Sequence, residues 1–161
     1  MNAGMSKHTL VFFSVTLSVL FLISCSKDKS FENHLRSKEY ILSPVGNSGV
    51  NGRIVISENA DSSFNVFVSI DPSILDTVHG LNIHNGSITS PGILAIPLAG
   101  LTGNGGLAQV ETRNITEVML PDSTVQKISY DGILSFAGYL NVSYSLNMPD
   151  SLIAQGNIGS N

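Results

Sequence analysis

The fold class predicted for this chain is all-β: an antiparallel Greek-key sandwich or barrel forming a single domain. Three observations predict it. Short runs rich in β-branched and aromatic residues recur from residue 40 to the C-terminus. Gly- and Asn-containing turn signals fall between them at fairly regular spacing. No long stretch shows helical periodicity.

The chain opens differently. A short basic start with Lys7 is followed by the apolar run Thr9 to Ile23, and Ser24 then precedes the only cysteine, Cys25. Such a start, run and small-residue end predict a secretory signal peptide over 1–24. The run falls short of the roughly 20 apolar residues that span a bilayer. Its last four residues, Leu22-Ile23-Ser24-Cys25, resemble the lipobox of bacterial lipoproteins. The resemblance implies diacylglycerol transfer to the Cys25 thiol, cleavage before Cys25 and acylation (palmitate) of the new N-terminus. Each buried CH₂ would add about 0.8 kcal/mol of membrane affinity, so several acyl chains anchor stably. The expected location is therefore a bacterial cell envelope of the Gram-negative type, on its outer membrane. With one cysteine in the chain, no intramolecular disulfide braces the fold.

Residues 25–39 form the next segment, polar and without sustained apolar periodicity, and are expected to be a tether. The Lys27-Asp28 pair resembles weakly the signals that route some lipoproteins to the outer face of the outer membrane. Residues 40–161, the expected β domain, carry only Arg53, Arg113 and Lys127 against nine acidic residues, a net charge of −6. A surface so poor in cations has no footprint for phosphates, which excludes nucleic acid as a partner.

The strands follow in order. Gly52–Ser57 and Ser63–Asp71 come first; in the second, Phe64, Val66, Val68 and Ile70 share one face. Further strands are predicted at Val78–His84, Ile93–Leu98, Leu107–Glu111, Thr116–Leu120, Val125–Tyr130, Tyr139–Ser145 and Leu152–Ile158. Turns are expected at Asn51-Gly52, Asn85-Gly86, Pro91-Gly92, Asn104-Gly105-Gly106 and Asp131-Gly132. Gly132–Ala137 is the place for one helical turn.

Two stretches carry a family resemblance. One is Val78-His79-Gly80-Leu81-Asn82-Ile83-His84-Asn85-Gly86. The other is Phe136-Ala-Gly138-Tyr139-Leu-Asn141-Val142-Ser-Tyr-Ser145, with Met148-Pro149 and Gln155-Gly156-Asn157-Ile158 after it. Together they resemble the CHRD (chordin-type) domain over roughly residues 50–159. The resemblance implies a barrel like that of copper–zinc superoxide dismutase. It supplies no catalytic chemistry, since CHRD domains largely lack a defined activity. This chain also departs from the pattern, with Ser143 where the family carries its second histidine and apolar or small residues around Leu152, Ile153 and Ala154.

Superoxide chemistry is not expected. The dismutase copper strand presents two histidines two residues apart on one face, where this chain has Asn82 and His84. The full site needs six histidines and an Asp, whereas residues 25–161 contain His34, His79 and His84 alone. His84 and Asn82 are the only candidate ligands for a simpler metal site, with a carboxylate from a neighbouring strand; no metal or other cofactor is expected. His79 is expected on the inward face or bonded to backbone. No Gly-x-Ser-x-Gly elbow is present, and Gly100–Gly106 lacks the Lys-Ser/Thr ending of a phosphate loop. The expectation is a non-catalytic binding or structural module whose loops His84–Pro91, Gly100–Gly106 and Pro121–Thr124 meet an envelope protein, glycan or ligand. The alternative is a metal-binding protein or metal-dependent enzyme centred on His84.

The anchor is directly testable. In cells fed labelled palmitate, the full chain is expected to carry label and sediment with membranes. Cys25→Ala is expected to lose both.

Overall fold

The computed structural model describes residues 35–161; the leader, Leu22–Ser24, Cys25 and most of the tether lie outside the described residues. Twelve strands and one short helix follow in order. They are β1 (Ser37–Pro44), β2 (Asn51–Glu58), β3 (Phe64–Asp71), β4 (Val78–His79), β5 (Leu81–Ser87), β6 (Ser90–Pro97), β7 (Leu101–Thr102), β8 (Ala108–Ile115), β9 (Glu117–Met119), β10 (Val125–Lys127), α1 (Tyr130–Ser135), β11 (Ala137–Ser145) and β12 (Met148–Gly159).

Eight strands form one antiparallel sheet in the order β6-β5-β11-β12-β1-β2-β3-β8, curled into a half-barrel; β9–β10 and β4–β7 are two-stranded ribbons. The meander β1-β2-β3 has β12 beside its first strand and β8 beside its last, each reached by a long connection. This is the non-sequential neighbour order of a Greek key. The all-β antiparallel expectation holds.

Alternation explains the curl. Ile54 and Ile56 of β2, Phe64, Val66, Val68 and Ile70 of β3, Leu81 and Ile83 of β5, and Leu140 and Val142 of β11 all point inward and are buried. With Leu42, Leu101, Ala154 and Ile158 they make one core. A sheet with a single apolar face must bend over it, since no second large layer is present to cover it. Tyr130 and Ile133 of α1 add to that core, and Ser129 caps the helix by accepting the Gly132 N–H at 3.2 Å. That cap starts the helix at Tyr130. It shifts the expected turn toward the N-terminus and ends the strand expected over Val125–Tyr130 at Lys127.

Several local expectations are corrected, among them the turns at Asn85-Gly86 and Pro91-Gly92, which lie inside β5 and β6 with the turn between them at Ile88-Thr89. The tether expected over 25–39 ends earlier, because Ser37, Lys38 and Glu39 pair with Ser57, Ile56 and Val55 in the β1–β2 ladder. Asn51-Gly52 is not a turn but the start of β2, with Gly52 opposite Ile70 and Leu42. Glycine is required there by close approach, since a Cβ would collide with the Ser69 carbonyl oxygen. The strand expected over Val78–His84 is divided at Gly80: Val78 and His79 pair with β7, whereas the Gly80 carbonyl accepts the Ser143 N–H at 2.9 Å in register with the β5–β11 pairs.

Arg36 fastens the start of β1. Its guanidinium lies 2.7 Å from Glu58 and 2.9 Å from Asp131, over the Tyr130 ring at 4.9 Å. The hydrogen bonds from Arg36 hold the Glu58 carboxyl below its ordinary range. The contribution of this pair is therefore fully present above the ordinary carboxylate range and lost as pH falls through the lowered value. Arg36→Ala is expected to lower the melting temperature of the full chain slightly at pH 7. The gap from the parent protein is expected to close as pH drops below that range.

Candidate functional site

The two histidines singled out in the sequence lie on opposite sides of the sheet, and their environments differ completely. His79, in β4, is fully buried. The Ile74 N–H donates to its Nε2 at 3.2 Å, and its Nδ1 lies 3.2 Å from the Ser143 carbonyl. An Nε2 that accepts forces the proton onto Nδ1, which donates to Ser143, so the ring is neutral with both nitrogens paired. Gly103 packs on the same ring; a Cβ there would lie 3.1 Å from Nε2. His79 thereby joins the turn after β3, the loop after β7 and the end of β11. It is a structural histidine with no lone pair left for a metal.

That geometry also revises the expectation for Gly100–Gly106. Leu101 is buried in the core, β7 pairs with β4, and the Gly103 N–H donates to the Thr77 carbonyl at 2.8 Å. The segment is pinned through Leu101 and Gly103, while Gly100, Thr102, Asn104 and Gly105 stay exposed.

His84 faces outward from β5, as alternation requires. It stacks on Tyr139 of β11, the residue opposite it in the ladder, with centroids 5.2 Å apart and planes at 23°. Its Nδ1 lies 3.4 Å from the Gly92 carbonyl. Donation there leaves Nε2 as an acceptor. Burial raises the Tyr139 phenol above its ordinary range, against a smaller opposite effect of a hydrogen bond from the Gly92 backbone, so Tyr139 stays neutral under His84.

The same outer face carries Asn82 opposite Asn141, and Asn141 opposite Gln155. Beside this row lies a cleft of about 230 Å³ lined by Asn82, His84, Asn141, Ser143, Pro149, Asp150 and Leu152. The ladder is irregular here, with register shifts on either side of Ser143. Between the pairs Ser143–Leu152 and Ser145–Met148, β12 has three residues against one on β11, and this bulge supplies Pro149 and Asp150 beside Leu152. Ser143 is internally satisfied, its Oγ donating toward the Ser145 carbonyl at 3.1 Å and packing on Gly80. Asn141 is not: its Oδ1 is shielded from solvent and has no hydrogen-bond partner.

The structure thus brings the two sequence candidates, His84 and Asn82, into one cleft. It adds Asn141 and Asp150, which sequence reasoning did not select. Asp150 lies 66 residues beyond His84 in the chain, and no local spacing signals their meeting. Among the described residues, no group of three or more His, Cys, Asp or Glu side chains is arranged to hold a metal ion. Of the three loops expected to carry contacts, only His84–Pro91 contributes to this cleft, through His84 itself.

Replacing His79 separates the two histidines experimentally. His79→Leu preserves bulk but strands the Ile74 N–H and the Ser143 carbonyl. It is expected to cost about 2–6 kcal/mol in denaturant unfolding, at roughly 1–3 per stranded buried group. His84→Ala is expected to cost about 1 kcal/mol or less, the worth of one stacked pair at a half-exposed site.

No family model matches the chain, and no curated protein matches it.

Proposed function

We propose that this chain is a lipid-anchored protein of a bacterial cell envelope, and that its CHRD-like β domain is a non-catalytic binding module using the cleft beside His84. The observation that carries the binding reading is Asn141 Oδ1. It is a buried acceptor without a donor, set in a concave wall of otherwise rigid sheet. A buried unpaired acceptor costs free energy in the isolated fold, and a ligand that donates to it recovers that cost. The lipobox-like Leu22-Ile23-Ser24-Cys25 supports the anchor, and the acidic composition of residues 40–161 supports a partner other than nucleic acid. The arrangement offers no activated nucleophile. His84 leans on Tyr139, and Ser143 is committed to backbone.

One observation favours a second reading, a metal-binding protein centred on His84. Asp150 supplies a carboxylate in the cleft that holds His84 and Asn82. His84 and Asp150 are two strong ligand types where a tight site uses three or four, so this reading ranks second.

Two measurements separate the readings. A photo-crosslinking residue in place of Leu152 is expected to give a discrete adduct in living cells, and one in place of Gln126 on β10 none. Equal labelling from both positions would overturn the binding reading, and labelling from neither would overturn a macromolecular partner for the cleft. After equilibration of the full chain with copper, zinc and calcium, a near-stoichiometric ion that disappears in His84→Ala would instead establish the metal reading.

A further inference from the structure

Two features of this cleft call for a donor: a buried acceptor without a partner and an unpaired negative charge. Asn141 presents a buried Oδ1 with no donor. Asp150 presents a carboxylate that forms no ion pair or hydrogen bond with any described residue, and no Lys or Arg lines the cleft. His84, donating Nδ1–H to Gly92, keeps Nε2 as an acceptor. Asn82, directly across the ladder from Asn141, adds an amide with an acceptor oxygen and two N–H donors. A group that satisfies them must donate several hydrogen bonds and balance one negative charge. The side chains of Pro149 and Leu152 form the apolar part of the wall.

Resting on the reading of this cleft as a binding site, we propose that its ligand is a primary ammonium group on a short alkyl stem. An ammonium supplies three N–H donors and a positive charge, which answer the unpartnered Asn141 Oδ1 and the unpaired Asp150 carboxylate. Its charge offsets Asp150 through a charge-assisted contact. A volume of about 230 Å³ admits the head group with a few methylenes, which lie against Pro149 and Leu152. The net charge of −6 over residues 40–161 favours the approach of a cation. An anion is opposed by Asp150, and a metal ion finds only two strong ligands. The ammonium has two sources, a free small amine or a lysine side chain of a protein.

The test is an NMR titration of the full chain in detergent, following the side-chain amide signals of Asn82 and Asn141. The probes are n-butylammonium, acetyl-lysine methylamide, tetramethylammonium, acetate and zinc. Saturable shifts with n-butylammonium at millimolar concentration are expected, with little response to tetramethylammonium, which cannot donate. Asp150→Asn, at an exposed position that leaves the rest of the spectrum unchanged, is expected to weaken binding roughly tenfold, the effect of one hydrogen bond to a charged group. Tighter binding of the lysine derivative than of n-butylammonium assigns the source to a protein side chain, and the reverse to a free amine. Equal response to tetramethylammonium, or shifts with acetate or zinc alone, would overturn the ammonium and leave a cleft that binds something else. No shift with any probe would overturn the ammonium and remove support for the cleft as a binding site.

Discussion

The structure depends on one sheet covering its own apolar face. A chain with a single cysteine has no internal disulfide to close a loop, and the only helix among the described residues is six residues long. Burial must therefore come from curvature: eight strands bend until the inward residues of β2 and β3 meet those of β5 and β11. Bending needs places where backbones approach closely or change partner. Gly52 against Ser69 is one, and Gly80 at the division between β4 and β5 is another.

A curled sheet leaves its ends open, and here one end is closed by polar chemistry inside an apolar frame. His79 reaches three segments that no ladder joins and pairs both ring nitrogens with backbone. Leu101 fills the space beneath. At the opposite end, Arg36 binds the start of β1 to Glu58 and Asp131 in the open, where solvent screens it. One end is thus held by buried hydrogen bonds and the other by an exposed ion network. The cleft wall of β12 extends past the end of β1 away from Arg36.

Register connects fold to site. The β5–β11 pairing sets Asn82 against Asn141 and His84 against Tyr139, making the outer face a polar band over an apolar core. The irregularity around Ser143 then bulges the start of β12, whose Pro149 and Asp150 line the cleft. A flat, regular ladder would have placed the same side chains in a plane open to water, where an amide oxygen has no unmet need.

The chain by itself determined the fold class and the facing of most strands, because a period of two is a local property that burial enforces. Phe64 to Ile70 and Leu81 to His84 were legible for that reason. Strand β1 was not: of its eight residues only Leu42 is buried, and its charged outer positions read as solvated tether. The role of His79 was half legible, its inward facing visible from alternation but its partners Ile74 and Ser143 set by the fold. The candidate cleft was the least legible. His84 and Asn82 stood out as polar residues on one strand face. Asn141 and Asp150 join them only through long-range strand pairing and a local ladder irregularity, which no spacing along the chain encodes. Tertiary structure decided the site because unpaired acceptors become significant only once burial has removed their water.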